Sequence, residues 1–158
     1  MTNVESDTAW DKITGLVGGD SGLATCQVYR ADGSAHLSVV NAGVLAHPVA
    51  GHRVVALVVR GGSAKHRRLR RDSRASVLFR VGWDWMSAAG RTELAGPDDP
   101  LDGLDEGAIP GLLRDVFTAA GGTHDDWAAY DRIMAEEGRT AVLLTVSSFS
   151  SNEGVVPA

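Results

Sequence analysis

The sequence predicts an α+β domain, mainly antiparallel β, whose strands close into a small barrel. Three observations lead there. Apolar, β-branched runs follow one another through tight turns such as Asp32-Gly33 and Gly82 to Asp84, with few crossover helices between them. Helical periodicity is confined to the start, to one short basic segment and to a pair of segments near the end. A length of 158 residues without internal repeat or linker is one domain's worth, 1–158, with enough chain to bury a single core.

Each element has its own signal. Thr8 to Val17 places Trp10, Ile13, Leu16 and Val17 at helical spacing, and Gly18-Gly19 is expected to stop that helix. Gly22 to Tyr29 alternates loosely, and after Asp32-Gly33 the run Ala35 to Val40 sets Leu37 and Val39 on one face and Ser38 and Val40 on the other. Asn41-Ala42-Gly43 reads as a second turn, with Val44 to Ala46 resuming the sheet before His47-Pro48. Val54 to Val59 is too apolar for a half-exposed strand and belongs at the centre of the sheet. Ala64 onward reads as a short basic helix. Ala75 to Val81 and Trp85 to Leu94 read as an antiparallel pair, and the Gly-, Pro- and Asp-rich stretch 95–110 as a loop in which nothing looks catalytic. Ile109 to Ala119 and Trp127 to Glu137 are helices, and Thr140 to Val146 closes the sheet.

Composition narrows the function. The chain is 44% hydrophobic and 22% charged, with no run near the roughly 18 apolar residues that span a bilayer. The acidic start MTNVESDTAWDKI lacks the features of a secretory signal, and the one cysteine, Cys26, has no internal partner, so a soluble cytoplasmic protein is expected. Net charge is −5, yet Arg60, Lys65, Arg67, Arg68, Arg70, Arg71, Arg74 and Arg80 supply eight of the fifteen Lys and Arg within one stretch, against the single acid Asp72. The acidic balance argues against nucleic acid and anionic membrane.

A small anion is the better partner for that stretch. With Ser63 as N-cap, backbone N–H groups near Lys65 and His66 would face a docked phosphate, although a merely solvated cationic helix gives the same pattern. The residues His36, His47, His52, His66 and His124 have no metal-ligand spacing, and no GxSxG, Walker or GxGxxG motif is present. Cys26 reads as a small buried hydrophobe. Trp83 and Trp85 flank Asp84, where a ring could stack on a planar cofactor, fill a subunit interface or simply be buried.

These residues also carry a resemblance. GLAT at Gly22 to Thr25, DGSAHLSVV at Asp32 to Val40, AKHRRLRRDSRASVLF at Ala64 to Phe79 and EGRTAVLLTV at Glu137 to Val146 resemble the flavin and deazaflavin oxidoreductases related to pyridoxamine 5'-phosphate oxidase, a split β-barrel family abundant in actinobacteria. GGTHDDWAAYDRIM, Gly121 to Met134, is similar to a helical stretch of members that look like coenzyme F420 binders.

The resemblance implies a homodimer with cofactor sites at the subunit interface. It makes Lys65 the phosphate-binding lysine, sets Ser38, Val39 and Val40 beside the ring, and brings Val59, Arg60, Gly61 and Ser63 toward the phosphate. Ala64, Arg68 and Arg71 belong to the basic helix, and Trp85 approaches the site from its strand, in this subunit or in the partner. Ser63, Arg68 and Ser73 stand where the family commonly has Arg, Asn and Pro. The activity implied is hydride transfer from reduced F420 to a small organic substrate. The alternatives are an FMN-binding protein of the same type and a cofactor-binding protein without turnover. No catalytic acid or base is identified, because in such chemistry the cofactor carries the reaction.

Overall fold

The computed structural model describes residues 3–158; Met1 and Thr2 of the acidic start lie outside the described residues. A first helix α1 (Asn3–Gly19) precedes the strands β1 (Leu23–Tyr29), β2 (Ala35–Ala46) and β3 (Arg53–Val59). The basic helix α2 (Ala64–Arg71) leads into β4 (Arg74–Val81) and β5 (Asp84–Ala95). A single 3₁₀ turn (Glu106–Ala108), α3 (Ile109–Ala119) and α4 (Trp127–Glu136) come before β6 (Thr140–Ser151) and the short β7 (Gly154–Pro157). The strand order is β3-β2-β1-β4-β5-β6-β7, and β3 also pairs with β6, which closes six strands into an antiparallel barrel. The expected fold class is the observed one. No helix among the described residues is long and apolar enough to cross a membrane.

The barrel has two apolar layers. Inside it, Val28, Val77, Phe79, Leu57, Leu144 and Phe149 pack together, and α1 stops one end with Trp10, Ile13, Leu16 and Val17. Trp10 meets Phe149 edge-on, with ring centroids 5.1 Å apart. A second cluster lies outside the barrel, between α3 and α4 and the outer faces of β3 and β6, where Leu112, Leu113, Val116 and Tyr130 cover Val54, Ala56, Ala141 and Leu143. The unbroken apolar run of β3 is thus explained: Val55, Leu57 and Val59 face the barrel while Val54 and Ala56 face the helices. Each such fully buried aliphatic side chain contributes about 1.5–3 kcal/mol relative to exposure.

Three expectations are corrected. Asn41-Ala42-Gly43 is not a turn, because β2 runs through it and pairs Asn41 with Leu23 on one side and Ala42 with Leu57 on the other. Gly43 is small for another reason: a Cβ there would come within 2.6 Å of the Ala120 backbone nitrogen and closer still to the Ala119 carbonyl. Gly22 meets the Ala120 carbonyl in the same way, so the C-terminal end of α3 rests on Gly43 of β2 and on Gly22 in the turn before β1. β6 extends beyond Val146 to Ser151, and β7 turns back on it through Asn152-Glu153, where the serine-rich sequence carries little hydrophobic alternation. The first helix continues through Gly18 and Gly19 instead of ending before them.

Candidate functional site

The basic helix begins at a tightly specified loop. Ser63 is its N-cap, in an extended conformation, and Ser63 Oγ accepts the N–H of His66 at 3.2 Å. Gly61 donates its N–H to the Glu137 carbonyl at 3.2 Å and packs so closely on Gly138 that a Cβ would lie 2.6 Å from the Gly138 oxygen. Gly62, at φ +73°, supplies the left-handed turn into the cap. The His66 N–H is therefore already used, and the helix-start N–H groups left without an acceptor among the described residues are those of Ala64 and Lys65.

Beside this helix start lies a cavity of about 360 Å³. Val39, Val40 and Asn41 of β2, Val58 of β3 and Lys65 form one side, and Val116 and Phe117 of α3, Ala120 just after it, and Tyr130 and Met134 of α4 form the other, with Arg139 just before β6. The helical wall is braced from behind. Phe117, Trp127 and Tyr130 pack ring against ring at centroid distances of 5.1–6.1 Å. The Tyr130 hydroxyl donates to the Leu113 carbonyl at 3.1 Å, and Arg114 Nε donates to Asp131 at 2.9 Å across α3 and α4.

Lys65 is the unusual charge here. Lys12, Arg53, Arg70, Arg74, Arg114 and Arg139 all pair with carboxylates, whereas the half-buried Lys65 has no carboxylate within 4 Å among the described residues. Burial pulls its pKa down, partly offset by the Cys26 thiol. Burial likewise pushes the Cys26 thiol up, with Lys65 acting in the other direction. Cys26 stands directly across the β1–β2 ladder from Ser38, and Ser38 Oγ is buried without a hydrogen-bond partner among the described residues. An unpaired ammonium and two backbone N–H groups without acceptors beside apolar walls fit a ligand with an anionic end, whereas Ser38, paired with the core residue Cys26, is not among the residues that line the cavity.

The sequence-derived residues distribute unevenly around this point. Val39, Val40 and Lys65 line the cavity, Ala64 presents its N–H at the helix start, and Ser63 and Gly61 shape the loop. Arg60 is exposed at the loop's beginning, and Arg68, half-buried, makes no ion pair among the described residues. Burial first and then the positive charge of Arg68 lower the pKa of His36. Val59 points into the barrel core, 4% exposed, and its neighbour Val58 faces the cavity instead. Arg71 is turned away, its guanidinium donating to the Tyr29 carbonyl at 3.0 Å. Trp85 sits on β5 opposite Arg80 and is not part of the cavity wall.

Other members of the basic stretch are engaged elsewhere. Arg70 Nε donates to Asp99 Oδ1 at 2.7 Å, and Arg67 donates to the Gly62 carbonyl. Arg74 stacks over the Tyr29 ring at 4.4 Å and donates to Asp72, holding the Asp72 carboxyl down at about 2. Burial raises the pKa of Asp99, but the hydrogen bonds from Arg70 and His66 outweigh it and keep the carboxyl below its usual range.

Sequence reasoning missed Val58, Arg139 and the whole helical wall. EGRT, Glu137 to Thr140, belongs to the family-like pattern, and Arg139 within it was the available signal; its guanidinium pairs with Glu137 at 2.6 Å. A second cavity of about 290 Å³ shares Met134 and Arg139 and is walled by Pro97, Ile109, Pro110 and Leu113. Its one cation, Arg139, is already paired with Glu137, and its other charged residues are the carboxylates Glu106 and Asp131, which makes it the poorer anion site.

No family model matches the sequence. The fold, however, has solved counterparts. A conserved hypothetical protein from Mycobacterium tuberculosis is 22% identical, with a TM-score of 0.64 over 89% of this chain and 82% of that one. A pyridoxamine 5'-phosphate oxidase-related, FMN binding protein from Nostoc punctiforme is 12% identical, at a TM-score of 0.57 over 92% and 80% of the two chains. A structure described as an F420 reductase is 10% identical, again at 0.57, over 86% of this chain and 94% of that one. At these identities the likeness is one of architecture, and the chain carries the split β-barrel fold of the pyridoxamine 5'-phosphate oxidase-like proteins.

Proposed function

We propose that this protein is a cytoplasmic oxidoreductase that binds coenzyme F420 in the groove beside β2 and reduces a small, electrophilic organic substrate. The observation that carries the reading is Lys65, a half-buried ammonium without a carboxylate partner among the described residues, in the lining of an apolar-walled cavity. Bound and reduced, the deazaflavin would supply a hydride to the acceptor, whose balancing proton comes from solvent. The chain's own work is placement. Lys65 and the N–H groups of Ala64 and Lys65 hold the phosphate, Val39 and Val40 lie along the ring, and Val116, Phe117 and Met134 keep water from the reacting face.

FMN in the same groove is the second reading, supported by the equal TM-score of the FMN binding protein and the F420 reductase. Titration of the purified protein with each cofactor, followed by absorbance and fluorescence, separates the two. Preference for F420 is expected. Preference for FMN moves the assignment to a flavoprotein, and failure of both to bind at high micromolar concentration rejects the enzyme. Binding without consumption of the reduced cofactor in the presence of conjugated acceptors would indicate a protein that carries the cofactor without turning it over.

The working unit in this reading is a homodimer. Leu37 and Val39 are 60% and 70% exposed on the outer face of β2, and Leu23 and Trp85 lie on the same uncovered side of the sheet. A second copy laid on that face would bury them and bring its Trp85 toward the groove. Sedimentation equilibrium is expected to give a dimer that Leu37→Glu dissociates; a monomer at all concentrations would refute the dimeric site.

A further inference from the structure

His66 is a deeply buried ionisable side chain near the cavity, at 1% exposure, and neither the cofactor reading nor the fold's hydrophobic core uses it. Both ring nitrogens are engaged. Nδ1 accepts the N–H of Gly62 at 2.9 Å, and a backbone N–H can only donate, so Nδ1 carries no proton. Nε2 then bears the hydrogen and donates it to Asp99 Oδ2 at 2.6 Å. Asp99 is itself held, since Arg70 Nε reaches Oδ1 at 2.7 Å and the Gly96 and Asp99 backbones bridge each other at 3.0 and 3.2 Å. Gly96 in turn packs on Thr140, where a Cβ would lie 2.8 Å from the threonine Cβ.

The result is a continuous chain of hydrogen bonds from the loop after β5, through an imidazole, to a backbone N–H two residues before Ala64. On its other side the loop of residues 60–63 is pinned by the Gly61 bond to the Glu137 carbonyl. The geometry points to His66 as the positioning residue of the anion site: through Asp99 on one side and Gly62 on the other, it sets the course of residues 60–63. It thereby fixes where the Ala64 and Lys65 N–H groups and the Lys65 ammonium meet a phosphate. The inference rests on the anion-binding reading of that helix start, and the role resembles that of an outer-shell group that orients a ligand-binding one without touching the ligand.

Two substitutions divide the imidazole's two bonds. His66→Asn keeps an oxygen near the Nδ1 position for Gly62 and gives up Asp99, whereas His66→Gln keeps a donor near Nε2 for Asp99 and gives up Gly62. Binding is read on 15N-labelled protein, from the amide shifts of Ala64 and Lys65 during titration with inorganic phosphate, and separately with F420 and FMN. Thermal stability is measured alongside.

His66→Gln is expected to weaken phosphate and cofactor binding about five- to tenfold, the effect of one lost hydrogen bond, with His66→Asn within about threefold of wild type. Equal binding by wild type and both variants overturns the positioning role. Losses in binding that simply follow the losses in stability, with no difference between Gln and Asn at equal stability, also overturn it. Phosphate shifts at Ala64 and Lys65 with neither cofactor bound would remove the cofactor reading and leave the role of His66 standing; no shift at those amides in the wild type removes both.

Discussion

Replacing Gly43 with alanine is expected to lower stability by about 2–3 kcal/mol and to spoil ligand binding at the same time. The added methyl group would meet only backbone: the Ala119 carbonyl, and the Ala120 nitrogen at 2.6 Å. No side chain can rotate away, so β2 and the C-terminal end of α3 must separate. That end of α3 carries Phe117 and Ala120 into the cavity wall, and the movement would open the groove opposite Val39 and Val40. Gly15→Ala provides the control. It lies inside α1 with nothing within 4 Å of its Cβ, and there alanine is expected to stabilise by roughly 0.5–1 kcal/mol. Chemical denaturation of the three proteins, with cofactor titration of each, tests the pair; a Gly43→Ala protein as stable as wild type would mean that α3 does not rest on the sheet at this point.

Gly43 also illustrates which parts of the fold were legible in the sequence. The hairpins of β1 with β2 and β4 with β5 are local events, written in alternating residues and turn glycines, and they form where expected. A glycine that lets a distant helix approach has the same local signature as a glycine that turns the chain, so Asn41-Ala42-Gly43 reads as a turn until α3 is placed against it. Closure of the barrel by β3 and β6 joins residues 81 to 89 positions apart, and only the double-sided apolar character of Val54 to Val59 hints at it.

The site divides along the same line. Lys65 and its N-cap were legible because capping and charge are short-range signals. Val58 was not, because β3 is apolar on both faces and periodicity cannot say which valine meets a cavity. Asp99 sits in a loop whose composition signals only turns, yet it is the anchor for both His66 and Arg70. Arg70 and Arg71, equal members of the basic run by sequence, are distinguished from Lys65 only by the acceptors that the folded chain brings to them.

Lys65→Ala is expected to raise the dissociation constant of the bound cofactor by about 10- to 150-fold, the loss of a charge-assisted phosphate contact worth about 1.5–3 kcal/mol. Stability should move in the opposite sense or not at all. Burial lowers the pKa of this amine in the folded chain, so the folded state binds its proton less tightly than the unfolded chain does. That cost to stability is fully present below the folded pKa and is relieved as pH rises through it; removing the amine removes the cost at neutral pH. Lys65→Met separates charge from packing, because the thioether fills the space of the lysine stem beside Val58 and Met134 without an ammonium. Both variants should therefore bind weakly while melting no lower than wild type. If Lys65→Met binds F420 or FMN as tightly as the wild type, the phosphate does not sit on this residue and the groove must be read in another orientation; if affinity falls only together with melting temperature, Lys65 supports the fold and not the ligand.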